Sequence, residues 1–287
     1  MELGKIEKKY KNIQHISKKV QNDKNILTIS IMKKSNIINN SVELARNSQY
    51  ILEFLKEKYN IDGYLKPRKI PFFKGNSKEL WIYVTEEKTK LTNPHERYEK
   101  LILKSRKKTR VDFITIGEAA FKFCKKNRFN IIKKFEGKET DKIREEVAKF
   151  ITKVSEVENY KSIKFIINSN KNLHGYFTLF PFENSNINLL YRNSTKQHLE
   201  NDIKKYQIIP EVNVFIKSLT RIYLFYSICS LMLESNLYNA KVSLVVLNKT
   251  IKTIDEMMLK LKRKISRVRR ELELEELIML TNKTQEE

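Results

Sequence analysis

Apolar residues recur in alternating steps of three and four along the C-terminal part of this 287-residue chain. Leu244, Leu247, Ile251, Ile254, Met258, Leu261, Ile265, Val268 and Leu272 occupy nine successive positions of that frame. The period predicts a helix with a narrow apolar seam, suited to one partner helix. Upstream, Leu219, Tyr223, Tyr226, Leu233, Leu237 and Ala240 extend the seam, with a polar gap at Ser230. The N-terminal part, from about Ile6 to Tyr59, keeps a similar frame through Ile6, Tyr10, Ile13, Val20, Leu27, Ile31, Ile38, Ala45, Leu52 and Leu55. Ser17, Lys24, Lys34, Ser41 and Ser48 interrupt it. Helix breakers are excluded from both stretches. After Gly4 there is no glycine until Gly63 and no proline until Pro67; no glycine follows Gly175 and no proline follows Pro210. Gly63 is placed to stop the first helix. A helix from Phe215 to Leu280 would run roughly 100 Å, so part of it must project from any small domain.

The middle has a different rhythm. Short apolar runs at Glu79–Thr85, Asp112–Gly117, Asn130–Phe135, Ser162–Ser169 and Tyr176–Phe182 read as strands. Between them, Pro94 opens a helix toward Lys104, and Glu118–Lys126 and Lys138–Ser155 are amphipathic. Strand–helix alternation predicts an α/β layer with a largely parallel sheet. The domains are therefore placed at 1–62, 63–209 and 210–287.

Charge adds a partner class. The net charge is +23, which attracts polyanions: nucleic acid, an anionic membrane surface or an acidic protein. The excess is mostly lysine, with abundant Asn and Ile and scarce Gly, Ala and Pro, which is also the composition of an A/T-rich genome. Placement is more telling. Lys260–Lys264 and Arg267–Arg270 form a cationic collar around the seam, and Glu271, Glu273, Glu275 and Glu276 follow at once. That acidic segment would repel phosphate, so the collar fits an acidic protein better than a nucleic-acid tail. Nothing approaches a membrane span: Ile222–Leu233 is shorter than the ~20 residues required, and the N-terminus does not read as a signal peptide. Cys124 and Cys229 are isolated and point to a reduced, cytoplasmic setting.

No catalytic constellation emerges. Gly117 ends a strand and precedes a helix, as in a phosphate loop, but no glycine-rich fingerprint surrounds it. His15, His95, His174 and His198 are scattered, and surface roles are expected for them. Glu86–Glu87 and Glu145–Glu146 are adjacent in sequence, so their side chains diverge. Neither a metal nor a cofactor is expected on this chain.

A long N-terminal helix, an inserted α/β domain and a long C-terminal helix resemble, in order and length, the gamma subunit of F-type ATP synthases. Local motifs are partial. Ile13–Val20 is similar to the family's N-terminal I-x-N-T-x-K-I-T segment, sharing Lys18. Asp112–Gly117 looks like the family strand that ends in Ile-Gly. Asn168–Ser169–Asn170 and Phe180–Pro181 stand where the family has its Ser-Asn pair and later Leu-Pro. Glu234, Asn248, Lys262 and Glu271–Leu272 fall at the family's E…N…K…EL spacing. Two family features are altered. Thr85–Lys90 replaces a G-L-C-G segment. The A-R-Q and I-T of the C-terminal helix appear as Arg263–Lys264–Ile265 and Val268–Arg269.

The resemblance implies α/β plus coiled coil: an antiparallel coiled coil of the terminal helices with an inserted Rossmann-like domain. It implies a non-catalytic rotor shaft inside a ring of three alpha and three beta subunits, which hold ATP, ADP and Mg themselves. Contacts with that ring would come from Arg263, Lys264, Arg267, Arg269, Arg270 and Glu271. The seam would hold the shaft. A small central-stalk subunit and a membrane rotor or other load would complete the partners, at the cytoplasmic face of the membrane. The divergence is similar to that of specialised F-type-like ATPases of wall-less bacteria, gliding motors among them. Three alternatives stand beside this: a basic coiled-coil nucleic-acid-binding protein, a short-armed relative of chromosome-organising ATPases, which would need phosphate motifs at the chain ends, and a small-molecule transferase.

Overall fold

In a computed structural model, residues 2–59, 78–85, 95–105, 110–137, 141–157, 160–171, 175–190 and 211–283 are described. Two long helices, α1 (Glu2–Tyr59) and α5 (Val212–Lys283), flank a sheet of five strands. Between them run β1 (Lys78–Val84), α2 (Glu96–Ser105), β2 (Arg110–Ile116), α3 (Glu118–Lys126), β3 (Asn130–Phe135), α4 (Asp141–Val157), β4 (Ser162–Ile166) and β5 (Phe177–Phe180). Short 3-10 turns follow at Phe182–Asn184 and Ile187–Leu190. The strand–helix alternation read from the sequence is thus the observed order. Gly63, Pro94, Glu86, Glu87, His174 and His198 lie outside the described residues.

The chain divides into two compact units, residues 1–33 with 240–287, and residues 34–239. In the first, the two long helices run antiparallel. Glu7 near the start of α1 meets Arg269 near the end of α5 at 2.6 Å. Exposure alternates with the sequence frame. Ile6, Ile13, Val20 and Leu27 on α1, and Leu244, Leu247, Ile251, Ile254, Met258, Leu261, Ile265 and Val268 on α5, are buried or half-buried. Ser17 and Lys24, which break the apolar pattern, are half-buried as well. The repeat is geometric, and two polar residues sit in it.

The second unit holds the sheet, in order β3-β2-β1-β4-β5. β3, β2, β1 and β4 are mutually parallel, and β5 closes the edge antiparallel to β4. Central β1 is fully buried beyond its first residue, which explains its continuous apolar run. On one face Trp81, Tyr83 and Phe113 pack with Tyr98 and Ile102 of α2 and Ala120 and Cys124 of α3. Segments of α1 and α5 belong to this unit too. The Gln49 amide donates to the Phe182 carbonyl at 3.4 Å. The Tyr223 hydroxyl donates to the Leu179 carbonyl at 3.1 Å.

Two sequence expectations change. α5 does contain an 18-residue window long and apolar enough to cross a membrane, but half of it is buried in the protein. Tyr223, Leu224, Ile228, Leu231 and Met232 are core residues, so its apolarity is that of a core helix. His95 is not a surface residue: it is 2% exposed, edge-on to the Tyr83 ring at 6.4 Å. Its carbonyl accepts the amides of Tyr98 and Glu99, which starts α2.

Candidate functional site

The sheet's phosphate-loop position is built for packing. Gly117 has φ +96, and a Cβ there would lie 1.9 Å from the Thr85 carbonyl oxygen. The Thr85 hydroxyl accepts the Ala120 amide at 2.8 Å. A side chain from the end of β1 therefore caps the N-terminus of α3, where a phosphate would bind in a nucleotide fold. Glu145 pairs with Lys149 on its own helix, while Glu146 reaches Lys133 on β3, so this carboxylate pair diverges. Burial pushes the thiol of Cys124 up to about 12 and that of Cys229 up to about 11, which leaves neither a ready nucleophile. Among the described residues, no three His, Cys, Asp or Glu side chains form a metal-ligand group.

The cationic chemistry is gathered on α5. Leu261, Ile265 and Val268 are half-buried, while Lys262, Arg263, Lys264, Ser266, Arg267, Arg269 and Arg270 are exposed. Helical spacing separates the two sets onto different faces. One face forms a shallow groove of about 560 Å³ lined by Leu259, Lys262, Arg263, Ser266, Arg267, Arg270, Glu271 and Leu274. Arg267 donates to Glu271 at 2.9 Å, one turn on.

The groove sorts the predicted contact residues. Arg263, Arg267, Arg270 and Glu271 come together, and Lys262 joins them. Arg269 turns instead to α1, donating to Glu7 at 2.6 Å. Lys264 stands outside the groove lining. Leu259, Ser266 and Leu274 were not anticipated; their spacing from Arg263 and Arg270 on one helix face was the available signal. Glu7 had no local signal, because its partner lies 262 residues away. Leu272 is 41% exposed. One turn before Glu7, α1 offers Gly4, where an added Cβ would meet nothing within 4 Å.

In the second unit, residues that carried the family resemblance meet other groups. Ser169 donates to the buried carboxylate of Glu234 at 3.3 Å. Lys171 pairs with the same carboxylate at 3.0 Å and also donates to the Leu190 carbonyl. Asn168 is buried beside them in sequence. This cluster ties the segment after β4 to α5.

These features define a class: two long helices, one before and one after an inserted α/β sheet in the chain, with an exposed cationic groove on the second. No protein-family model matches the chain. It is 34% identical over 292 residues to the uncharacterized protein UU050 of Ureaplasma parvum serovar 3, spanning 100% of this chain and 96% of that protein. The chain belongs to that protein's family. Among solved structures it is similar to a chain of the Euglena gracilis mitochondrial ATP synthase rotor, at TM-score 0.45 and 8% identity, over 94% of this chain and 98% of that one. It is also similar to a chain of the Tetrahymena thermophila mitochondrial ATP synthase central stalk and c-ring, at TM-score 0.46 and 12% identity, over 79% and 98%.

Proposed function

We propose that this chain is the central rotor shaft of a rotary F-type-like ATPase, a non-catalytic subunit that couples nucleotide turnover in a surrounding ring to rotation. The observation that carries the reading is the cationic groove of Arg263, Arg267 and Arg270 on a helix braced by a partner helix. The gamma resemblance of the sequence assigns that segment to contact with the catalytic ring. A shaft works through differential contacts with each site as it turns. It needs a stiff, asymmetric body and no active site of its own. Breaker-free helices meet the first requirement, and a cationic groove on one face of α5 meets the second.

In this reading ATP, ADP and Mg are held by three alpha and three beta partner subunits. The second unit contacts a small central-stalk subunit and the load, at the cytoplasmic face of the membrane. The load is a proton-conducting rotor or a gliding apparatus. Nucleic acid is disfavoured, because Glu271, Leu259 and Leu274 share the groove with the arginines. Purification at native stoichiometry tests the assignment. Three copies each of two nucleotide-binding subunits per copy of this chain are expected. Recovery of the chain with nucleic acid and no such subunits would overturn it.

A further inference from the structure

α4 and α5 are joined at one level and open at another. Arg144 on α4 lies close to the buried Cys229 thiol on α5. Further along, Lys149, Thr152 and Lys153 of α4 and Arg221, Ile222, Phe225 and Tyr226 of α5 line an open groove of about 420 Å³. Its floor is aromatic: the Phe225 and Tyr226 rings meet edge-on at 5.5 Å and are half-buried. Ile222 is 44% exposed beside them. Val214, itself 50% exposed, and Lys217 continue the same face of α5 at helical spacing. The rim is cationic through Lys149, Lys153 and Arg221. Glu146 is turned away to Lys133 on β3, and the Thr152 hydroxyl is turned onto its own helix, at the Ala148 carbonyl. Lys149 meets Glu145 only across an exposed turn, at 3.7 Å.

We propose that this groove docks a short acidic, aliphatic segment of a protein partner. Its aliphatic side chains would cover Ile222, Phe225 and Tyr226, and its carboxylates would sit at Lys149, Lys153 and Arg221. An apolar centre within a charged rim is the anatomy of a protein interface. A phosphodiester chain would satisfy the rim and leave Ile222 in water. A lipid surface would need the apolar groups on a crest, whereas the two rings line the bottom of a groove. The second unit carries this site by itself, on residues separate from the collar.

The test uses the full-length chain and fluorescence anisotropy with a labelled short peptide alternating glutamate and leucine. Controls are an all-glutamate peptide of equal charge, a labelled oligothymidylate and phosphatidylserine vesicles. The glutamate–leucine peptide should bind at least about tenfold more tightly than the all-glutamate one. Lys149→Glu with Lys153→Glu, and separately Ile222→Glu, should each weaken it by about tenfold or more. A control with Lys8→Glu and Lys11→Glu, two exposed lysines of α1 outside the groove, should keep the affinity. All three altered side chains in the groove are exposed to solvent, and unchanged thermal unfolding would show that the variants fold. Equal affinity for both peptides, indifference to the groove variants, or groove-dependent binding of the oligonucleotide or the vesicles instead would overturn the proposal.

Discussion

The Ser169 hydroxyl donates a 3.3 Å hydrogen bond to the carboxylate of Glu234, 65 residues further along the chain. Both residues stood at family-like positions in the sequence, in motifs with no visible connection. The structure makes them one cluster with Lys171, whose ammonium lies 3.0 Å from the same carboxylate. Glu234→Ala should therefore destabilise the protein by about 2 kcal/mol, the range for losing hydrogen bonds to a buried charge. Ser169→Ala should cost about 1 kcal/mol or less. Urea unfolding of the three proteins checks the order, and equal midpoints would remove the cluster from the account of stability.

Gly117 tests whether the glycine serves packing. Its φ of +96 and the 1.9 Å distance that a methyl group there would have to the Thr85 carbonyl oxygen act together. Gly117→Ala should cost about 2–4 kcal/mol. Thr85→Val, which removes the cap on the Ala120 amide, should cost about 1 kcal/mol. Thermal unfolding measures both. A Gly117→Ala protein as stable as the parent would contradict the close approach.

Glu79 supplies a pH dependence. Burial alone would raise its pKa, but Lys164 at 2.8 Å and the Trp81 indole N–H at 2.8 Å outweigh it and hold the carboxyl below its ordinary 4.5. A carboxyl with a depressed folded pKa stabilises the protein above its unfolded value and loses that contribution as pH falls through the folded value. Stability should thus decline below about pH 4.5. Glu79→Gln should flatten that part of the decline without steepening the profile above it. Chemical unfolding across an acid pH series distinguishes the two slopes.

Ile254 is a buried position of the seam, 8% exposed. Ile254→Pro should cost ~3 kcal/mol or more by breaking the helix. In a reconstituted complex it should uncouple ATP hydrolysis from torque. Normal rotation with this substitution would contradict the shaft.

Much of this architecture was legible beforehand. The breaker-free stretches and the alternating three–four frame correspond to α1 and α5, because helix periodicity depends on local sequence. The strands of the sheet were equally visible as apolar runs. Contacts across the fold were not. His95 looked like a surface residue because nothing local announces that Tyr83 will cover it. Arg269 looked equivalent to Arg267 and Arg270, because charge reads the same on any face of a helix. Only the position of α1 separates them, and that position is fixed by seam residues far away in sequence.

That separation refines the expected behaviour of the collar. Arg263, Arg267 and Arg270 share the groove with Glu271, while Arg269 serves the pairing of α5 with Glu7. Replacing the three groove arginines by alanine should weaken assembly with an acidic ring of partner subunits and leave unfolding stability nearly unchanged, since all three are exposed. The loss should be larger at low salt, because high salt already screens those charges in the parent. Arg269→Ala should show the opposite balance: assembly near the parent level, and a stability loss of about 0–1 kcal/mol for an exposed ion pair. Co-purification at two ionic strengths, with thermal unfolding alongside, reads both effects. If the triple variant assembles as the parent does at low salt, the groove is a solvated helix face and ring contact lies elsewhere on the chain. If Arg269→Ala abolishes assembly while the triple variant does not, the contact runs along the α1 side of the helix pair.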